Sequence, residues 1–424
     1  MTPIRRLTAI LGGSAGNLVE WYDWFAYASF TIYFAKVFFP KGDQTAQLLQ
    51  AAAVFAVGFL ARPVGAWAMG LLCDRAGRRI ALAISVALMC AGSLLVAVTP
   101  GYAAIGAAAP VILTLARLVQ GFSLGGQYGV SATYLSEMAG RGRRGFWSSF
   151  QFVTLIGGQL IALAVLIVLQ HLMSAAALEA WGWRIPFLIG ALLALAVFGV
   201  QLRLDETRSF SAVKAEGSPR SETMLLFTQH PRETAIVFVL TSAGSLCFYA
   251  FTTYMQKFLT NSAHFGKNAA TDISASTLVA FLAVLPIAGW LGDQLGRKSL
   301  MAASFGLLAV GTWPILTALG SATSAPAAFA LIFAALFGFS GYAAMSAVVK
   351  AEFFPAHVRG LGVALPYALA NAIFGGTAEA IALWFKEVKA ESGFFIYVSA
   401  VCAIAFVVAL RMRDTQKESR ILED

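Results

Sequence analysis

The sequence predicts an all-α polytopic membrane protein, with twelve transmembrane helices in two six-helix bundles. Hydrophobic residues make up 59% of the 424 residues and charged residues 12%, about half the charged fraction of a soluble domain. Apolar segments long enough to cross a bilayer recur along the whole chain. The two halves also share a loop motif at a nearly constant spacing, which predicts two repeats of one structural unit.

Twelve segments meet the requirement of roughly 20 mainly apolar residues for a span. The first contains no small-residue cleavage site, so we expect it to remain in the protein. A polar, Ser-rich stretch separates six spans from six. We predict an N-terminal bundle over 1–203, a central cytoplasmic loop over 204–232 and a C-terminal bundle with a short tail over 233–424. The predicted spans are 15–39, 47–72, 80–99, 106–137, 146–171, 183–203, 233–259, 270–292, 299–319, 324–350, 360–385 and 392–411.

The distribution of Lys and Arg predicts the orientation, because cytoplasmic loops are enriched in both. With both chain ends in the cytoplasm, 21 of the 30 basic residues fall on that side and 7 on the other, while Arg62 and Arg117 lie within spans. The net charge of +9 is therefore explained by membrane topology, and we expect a lipid bilayer and no nucleic acid as partner.

A loop motif occurs twice. The loop after the second span, GLLCDRAGRR (70–79), recurs after the eighth as GWLGDQLGRK (289–298). A second match lies at an offset of 215, since Glu137 and Glu352 each precede an Arg-Gly pair by seven residues. Parallel repeats of this kind are typical of transporters whose substrate path lies between two bundles. At an offset of 219, Gly70, Asp74, Gly77 and Arg78 match Gly289, Asp293, Gly296 and Arg297.

The loop G-x-x-x-D-R-x-G-R-R resembles the signature loop of the major facilitator superfamily. The resemblance implies that it latches the two bundles together in one access state; the alternative is a basic loop that only sets topology. Gly77 suits a tight reversal, and Asp74 can cap a helix N-terminus or pair with an Arg. The residues expected at the latch are Gly70, Asp74, Arg75, Gly77, Arg78, Asp293, Gly296 and Arg297.

Further strings resemble the metabolite:proton symporter branch of this superfamily. The resemblance runs from about residue 15 to 411 and implies import of a small dicarboxylate or oxo-acid across a bacterial inner membrane. The proton would be the coupling ion, with no other cofactor, and each chain would act as a monomer. No nucleotide-binding, zinc-binding or nucleophile motif appears, so we expect no enzyme activity. The strings are GNLVEWYDWFAY (16–27), ARPVG (61–65), ARLVQGFSLGGQYG (116–129) and GWRIPF (182–187).

Two carboxylates in the first span need an explanation, because an ionised carboxylate in hydrocarbon is costly. In related sugar–proton symporters an acid on the first helix meets an Arg on the fourth. By that resemblance Asp23 pairs with Arg117 and carries the coupling proton, with Glu20 and Glu379 as further candidates. The alternatives are a static Asp23–Arg117 pair, a solvated vestibule position for Glu20, and pairing of Glu379 with a basic residue of the opposing half.

A dicarboxylate substrate needs cations, and Arg117 and Arg62 are the best placed, since a planar guanidinium suits a carboxylate. A link between helices is the favoured alternative for Arg62, and snorkelling is the alternative for Lys257. Lys350 is expected at the cytoplasmic end of its span as a topology determinant. The symporter branch commonly has GGEYG where this chain has GGQYG, so Gln127 cannot carry the proton. The expected substrate-binding residues are Arg117, Arg62, Gln127, Tyr27, Tyr249, Tyr254, Gln256, Lys257 and Asn371.

Two other functions stay open. One is an exporter, or a symporter of a zwitterionic osmolyte such as betaine or proline. Osmolyte carriers of this branch tend to have long charged C-terminal extensions, whereas this tail ends soon after Arg413. The other is a sensor on the same fold. A sensor would need an appended soluble domain, and the longest soluble stretch here is the predicted central loop.

Overall fold

Twelve long helices, here α1 to α12, make up most of the chain. The computed structural model describes residues 3–40, 44–207, 210–211 and 223–421, so most of the predicted central loop lies outside the described residues. The described part contains no strand. The helices are α1 (Pro3–Phe38), α2 (Gln44–Ala76), α3 (Arg78–Val98), α4 (Ala108–Met138), α5 (Arg144–Leu172), α6 (Ile185–Gln201), α7 (Pro231–Phe251), α8 (Lys267–Leu295), α9 (Arg297–Gly320), α10 (Ala325–Phe353), α11 (Arg359–Glu387) and α12 (Glu391–Arg411).

Within the described residues, eleven of these helices are long and apolar enough to cross a membrane. The exception is α1, which carries Glu20, Asp23 and Lys36 together with several Trp and Tyr residues. It nevertheless packs against α4, α5 and α6 as part of the first bundle. Glu20 and Asp23 are completely buried, so these two carboxylates face protein and not lipid, whereas Lys36 near the C-terminal end of α1 is exposed.

Two helices differ from the predicted spans. The predicted span 233–259 is divided, because α7 ends at Phe251 and a separate short helix covers Met255–Asn261. At the break the Thr252 hydroxyl donates a hydrogen bond to the Phe248 carbonyl (2.6 Å), a local bond that competes with the helical pattern. α11 is interrupted by a π-helical turn over Asn371–Gly375, a feature frequent at functional sites. Both irregularities border the cavities described below.

Glycines bring α2 and α4 into close contact. A Cβ atom at Gly121 would lie 2.1 Å from the Gly58 carbonyl oxygen, and one at Gly125 would lie 2.1 Å from that of Arg62. Such small-residue contacts let membrane helices approach each other closely. Gly121 and Gly125 therefore serve the close packing of α2 against α4.

The two bundles meet along two contacts that the internal repeat relates to each other. α2 packs against α11, and α5 packs against α8. A Cβ at Gly70 would lie 2.8 Å from Leu361 Cα, and one at Gly289 would lie 2.9 Å from Phe146 Cα. Gly70 therefore allows a close approach between the bundles, and its repeat partner Gly289 makes the equivalent contact in the other half.

Candidate functional site

A cavity of about 660 Å³ lies between the two bundles, within the usual size range of small-molecule sites. Aromatic side chains of α1 and α2 form the wall on the side of the first bundle. Polar side chains face this wall. They come from α5, α8 and α11, from the segment just after α7, and from the short helix that follows it. The aromatic residues of this wall are Trp24, Phe25, Tyr27, Phe55 and Phe59, and Tyr249 of α7 adds a ring from the second bundle; the polar residues opposite are Gln159, Thr252, Thr253, Gln256, Lys257, Thr271, Ser274 and Glu379.

Five of the predicted site residues line this cavity: Tyr27, Tyr249, Gln256, Lys257 and Glu379. Gln256 Nε2 donates to Thr271 Oγ1 (2.6 Å), and Lys257 forms an ion pair with Glu379. The expectation that Glu379 pairs with a basic residue of the opposing half is wrong, because both partners belong to the second half. Their side chains are partly exposed, so the pair adds little to stability and is free to exchange partners.

Two buried arginines lie directly behind the aromatic wall. Arg117 lies 4.2 Å from the ring centre of Trp24 and 4.3 Å from that of Tyr27. Arg62 lies 4.1 Å from the Trp24 ring centre and 4.0 Å from that of Phe59. In both arginines Nε and Nη2 have no hydrogen-bond partner, and no carboxylate of the described residues forms an ion pair with either. Arg62 therefore links α1 and α2 by cation–π contacts.

Gln120 lies between Asp23 and Arg117. Arg117 Nη1 donates to Gln120 Oε1 (2.6 Å), and Gln120 Nε2 donates to Asp23 Oδ2. The predicted direct pairing of Asp23 with Arg117 is therefore wrong for this conformation, in which the amide relays the contact. Gln120 also reaches Ser93 Oγ (3.3 Å), while Asp23 Oδ1 has no partner. Sequence analysis did not single out Gln120, although its position three residues after Arg117 places both on one helix face.

Glu20 occupies a separate buried site. Its Oε1 accepts hydrogen bonds from Ser85 (2.9 Å) and Ser123 (2.8 Å), and its Oε2 has no partner. The side chain is completely buried. A solvated vestibule position for Glu20 is therefore wrong for this conformation, and within the described part no cation pairs with it.

Three predicted residues lie away from the main cavity. Gln127 is buried inside the first bundle next to Gly16, and neither its Oε1 nor its Nε2 has a hydrogen-bond partner. Tyr254 is buried against Phe258 and Phe394. Asn371 lies deeper in the protein and lines a second, small pocket. Neither Gln127 nor Tyr254 is placed to contact a molecule in the main cavity of this conformation.

The small pocket lies beneath Tyr249, which lines both cavities. Trp21, Tyr342, Tyr367 and Asn371 also line it. Lys350 lies next to this pocket, because its Nζ is 3.3 Å from Tyr342 Oη. Lys350 is 1% exposed. Lys350 lies near the end of α10 that was predicted to be cytoplasmic, but its burial does not fit the expected role of a topology determinant.

The repeated loop forms a contact between the two bundles on both sides of the repeat, and each of these contacts is here called a latch. The Asp74 carboxylate accepts hydrogen bonds from the backbone N–H groups of Gly360 (2.8 Å) and Leu361 (2.9 Å) at the start of α11. The Asp293 carboxylate does the same for Gly145 (2.8 Å) and Phe146 at the start of α5. A carboxylate at a helix N-terminus satisfies free N–H groups and complements the helix dipole. Each bundle thus caps a helix of the other.

Buried ion pairs surround each latch. Arg78 and Arg359 both bind Glu137, and Arg297 and Arg144 both lie at Glu352. The two glutamates are the pair that the repeat predicted from their spacing to Arg-Gly. Gly77 has φ 108° and Gly296 has φ 96°, a backbone conformation that favours glycine, so the reversal predicted for Gly77 is confirmed. Arg75 is exposed at the surface.

The segment that follows each bundle also contacts its latch. After α6, Thr207 Oγ1 donates to Glu137 Oε2 (2.5 Å), and the Glu206 carboxylate accepts from the backbone N–H of Arg78 (3.1 Å). After α12, Ser419 Oγ donates to Glu352 Oε1 (3.1 Å). The C-terminal tail also accepts a hydrogen bond from Arg359 at the Arg420 carbonyl (2.7 Å). A hydroxyl group therefore contacts the latch glutamate in both halves.

The latches and the main cavity lie at opposite ends of the bundles. The latches join the C-terminal ends of α2 and α8 to the N-terminal ends of α11 and α5, on the predicted cytoplasmic side. The main cavity is lined by the C-terminal half of α1 and by the C-terminal half of α11, where Glu379 lies. This conformation is therefore closed on the predicted cytoplasmic side, with its cavity toward the outside.

The fold, with two related six-helix units around a cavity and paired latches, defines a major facilitator transporter. The family model described as "Sugar (and other) transporter" matches residues 9–231 and 211–419, and the chain belongs to this family. As such it is a multi-pass protein of the bacterial inner membrane. Among solved structures, the proton:xylose symporter XylE bound to 6-bromo-6-deoxy-D-glucose has a TM-score of 0.85 at 17% identity, covering 99% of this chain and 98% of that one.

Curated relatives match over nearly the whole chain. The alpha-ketoglutarate permease of Escherichia coli K12 is 49% identical over 419 residues, which cover 98% of this chain and 96% of that protein. The citrate-proton symporter of Klebsiella pneumoniae is 33% identical and covers 94% of this chain and 90% of that protein. The proline/betaine transporter of Salmonella typhimurium is 28% identical, covering 96% and 83%.

Proposed function

We propose that this transporter imports a small dicarboxylate or oxo-acid such as α-ketoglutarate, together with protons, by alternating access. The observation that carries the proposal is the pair of buried guanidinium groups behind the cavity. Arg62 and Arg117 each have two nitrogen atoms without a hydrogen-bond partner and no ion pair among the described residues. A buried charge without a partner is costly, and an anionic substrate that reaches the aromatic wall would relieve that cost.

The relatives support the same substrate class. Two of those reported above are named for α-ketoglutarate and for citrate with protons, both of them carboxylic acids. Asp23 supplies a protonatable group that is connected to Arg117 through Gln120. Protonation of Asp23 would weaken its hydrogen bond from Gln120, so the protonation state of Asp23 would change how Gln120 holds Arg117 behind the cavity wall.

An osmolyte such as betaine is the second candidate, because aromatic rings bind quaternary ammonium groups and the rings of Trp24, Tyr27, Phe55 and Phe59 line one wall. These rings, however, already have guanidinium groups close to them. Arg62 lies over Trp24 and Phe59, and Arg117 lies over Trp24, Tyr27 and Phe55 at 5.2 Å or less. A further cation would be repelled by both arginines, so the wall favours an anion.

Uptake of labelled 2-oxoglutarate into proteoliposomes tests the proposal. Uptake is measured with and without an inward proton gradient, in competition with di- and tricarboxylates and with betaine, and empty liposomes serve as the control. We expect accumulation that needs the gradient and that dicarboxylates block. If only betaine or proline competes, the substrate class is wrong. If accumulation persists after a protonophore collapses the gradient, the coupling is wrong.

A further inference from the structure

Lys350 is a buried cation to which the proposed function assigns no role. Its Nζ lies 3.1 Å from Tyr128 Oη and 3.3 Å from Tyr342 Oη, and 4.8 Å from the ring centre of Tyr367. In the part of the chain that the structure describes, no carboxylate forms an ion pair with it. The Tyr128 hydroxyl is also shared with Ser346 (2.9 Å). An ammonium group with only hydroxyl and ring partners is expensive to bury, so it is available to an arriving anion.

The tyrosines place Lys350 next to the small pocket. Tyr342 and Tyr367 line that pocket together with Tyr249, which also lines the main cavity. The Tyr249 hydroxyl has no hydrogen-bond partner. Tyr128 of the first bundle stacks on Tyr367 of the second, with ring centres 3.5 Å apart and planes at 6°. Lys350 is therefore held at the junction of the two bundles, one layer of tyrosines below the pocket.

Arg62 approaches the same pocket from the first bundle. Its guanidinium lies 5.6 Å from the ring centre of Trp21, which lines the pocket together with Tyr367. One cation from each bundle thus flanks the tyrosine layer. The pocket itself has a volume of only about 10 Å³, room for one water molecule. A larger ligand reaches Lys350 only when the tyrosines move.

We propose that Lys350, with Tyr128 and Tyr342, is a second anion subsite that binds the distal carboxylate of a dicarboxylate whose other carboxylate lies at Arg62. This inference rests on the proposed function and names how the substrate is recognised. A dianion held in this way contacts a cation of each bundle and so joins the bundles across their junction. A monocarboxylate contacts only one of the two cations. Lys350 would therefore determine the preference for dicarboxylates.

The experiment compares binding of 2-oxoglutarate with binding of 2-oxobutyrate, which lacks the distal carboxylate, to the full-length protein in detergent. We expect Lys350→Gln to weaken 2-oxoglutarate binding by at least about tenfold, as for loss of one partner of a buried charge pair, and to leave 2-oxobutyrate binding unchanged. A merely structural role would weaken both ligands equally. Lys386→Gln is the control, because this lysine donates to Ser262 (2.6 Å) outside both pockets, and we expect no change for either ligand.

A second variant keeps the test valid if Lys350→Gln does not fold. Lys350→Arg keeps the charge but reaches further, so we expect it to bind 2-oxoglutarate with its preference shifted toward the shorter oxaloacetate. If Lys350→Arg keeps the wild-type preference between 2-oxoglutarate and oxaloacetate, or if Lys350→Gln binds 2-oxoglutarate as the wild type does, the inference is wrong. Binding of 2-oxoglutarate by the wild-type protein would still support the proposed substrate class. If the wild-type protein binds no dicarboxylate, both the proposed function and this inference are wrong.

Discussion

Gln120 joins a carboxylate and a guanidinium that do not touch each other. Because an amide has both an acceptor and a donor, its Oε1 binds Arg117 while its Nε2 binds Asp23. Protonation of Asp23 neutralises its carboxylate and so weakens the hydrogen bond that it accepts from the Gln120 N–H. In the proposed mechanism, a change in the protonation state of Asp23 would therefore reach Arg117 through a neutral side chain.

Asp23→Asn tests whether this chain of contacts couples transport to protons. We expect the variant to lose accumulation of substrate against a gradient, because it cannot take up a proton, and to keep exchange of internal for external substrate. Accumulation and exchange are measured in the same proteoliposomes. Glu20→Gln removes the other buried carboxylate of α1, which contacts only Ser85 and Ser123. If Glu20→Gln and not Asp23→Asn abolishes accumulation, the coupling role belongs to Glu20.

The position of a site residue can be predicted from the sequence where the local backbone fixes that position. Asp74 and Gly77 belong to a short loop whose spacing determines the backbone, and their predicted features are found. Gln120 and Lys350 are on long helices that are apolar on most sides, where no amphipathic period shows which face meets the other bundle. The sequence therefore does not single out Gln120, and it favours a topology determinant at the cytoplasmic end for Lys350, which tyrosines from three helices enclose.

At the level of helices, the contact between α2 and α4 sets the position of Arg62. Gly125 packs on the Arg62 carbonyl oxygen, and Gly121 packs on that of Gly58. The side chain of Arg62 consequently points away from α4 toward the aromatic rings of α1. A substitution that separates these two helices would move a cation of the proposed substrate site.

Gly121→Ala should destabilise the protein, because the new Cβ would lie 2.1 Å from a backbone oxygen that cannot move without displacing α2. We expect a loss of about 1–3 kcal/mol, as for overpacked cores, measured as a lower thermal midpoint in detergent. Gly199→Ala in α6 is the matched control, since nothing lies within 4 Å of its added Cβ and Ala favours a helix. Equal midpoints for the two variants would contradict the proposed clash.

At the level of the whole molecule, the two latches hold one closed state together. Asp74 and Asp293 lie on opposite bundles, and each caps a helix of the other. If the bundles move as rigid bodies, neither latch can open alone. A change at one latch should then be detected at the other.

Cys73 allows this to be measured, because it is fully buried beside Gly360 at the Asp74 latch. In a chain whose other cysteines (Cys90, Cys247 and Cys402) are changed to Ser, we expect Asp293→Ala to raise the rate at which a maleimide labels Cys73. Loss of a helix cap costs about 1 kcal/mol, which corresponds to about a fivefold increase in the population of the state in which the latches are open. Asp272→Ala, at an exposed position of the same helix, should have no effect. Unchanged labelling in Asp293→Ala would mean that the two latches open independently.

The hydroxyl contacts of Thr207 and Ser419 bear on how the two halves of the chain arose in evolution. One residue follows the sixth helix and the other follows the twelfth, yet each binds the glutamate of its own latch. Fusion of two copies of one ancestral six-helix gene predicts this arrangement, because the tail of the first copy would become the connection to the second. The central segment and the C-terminal tail are then descendants of the same ancestral terminus, and both still perform its contact.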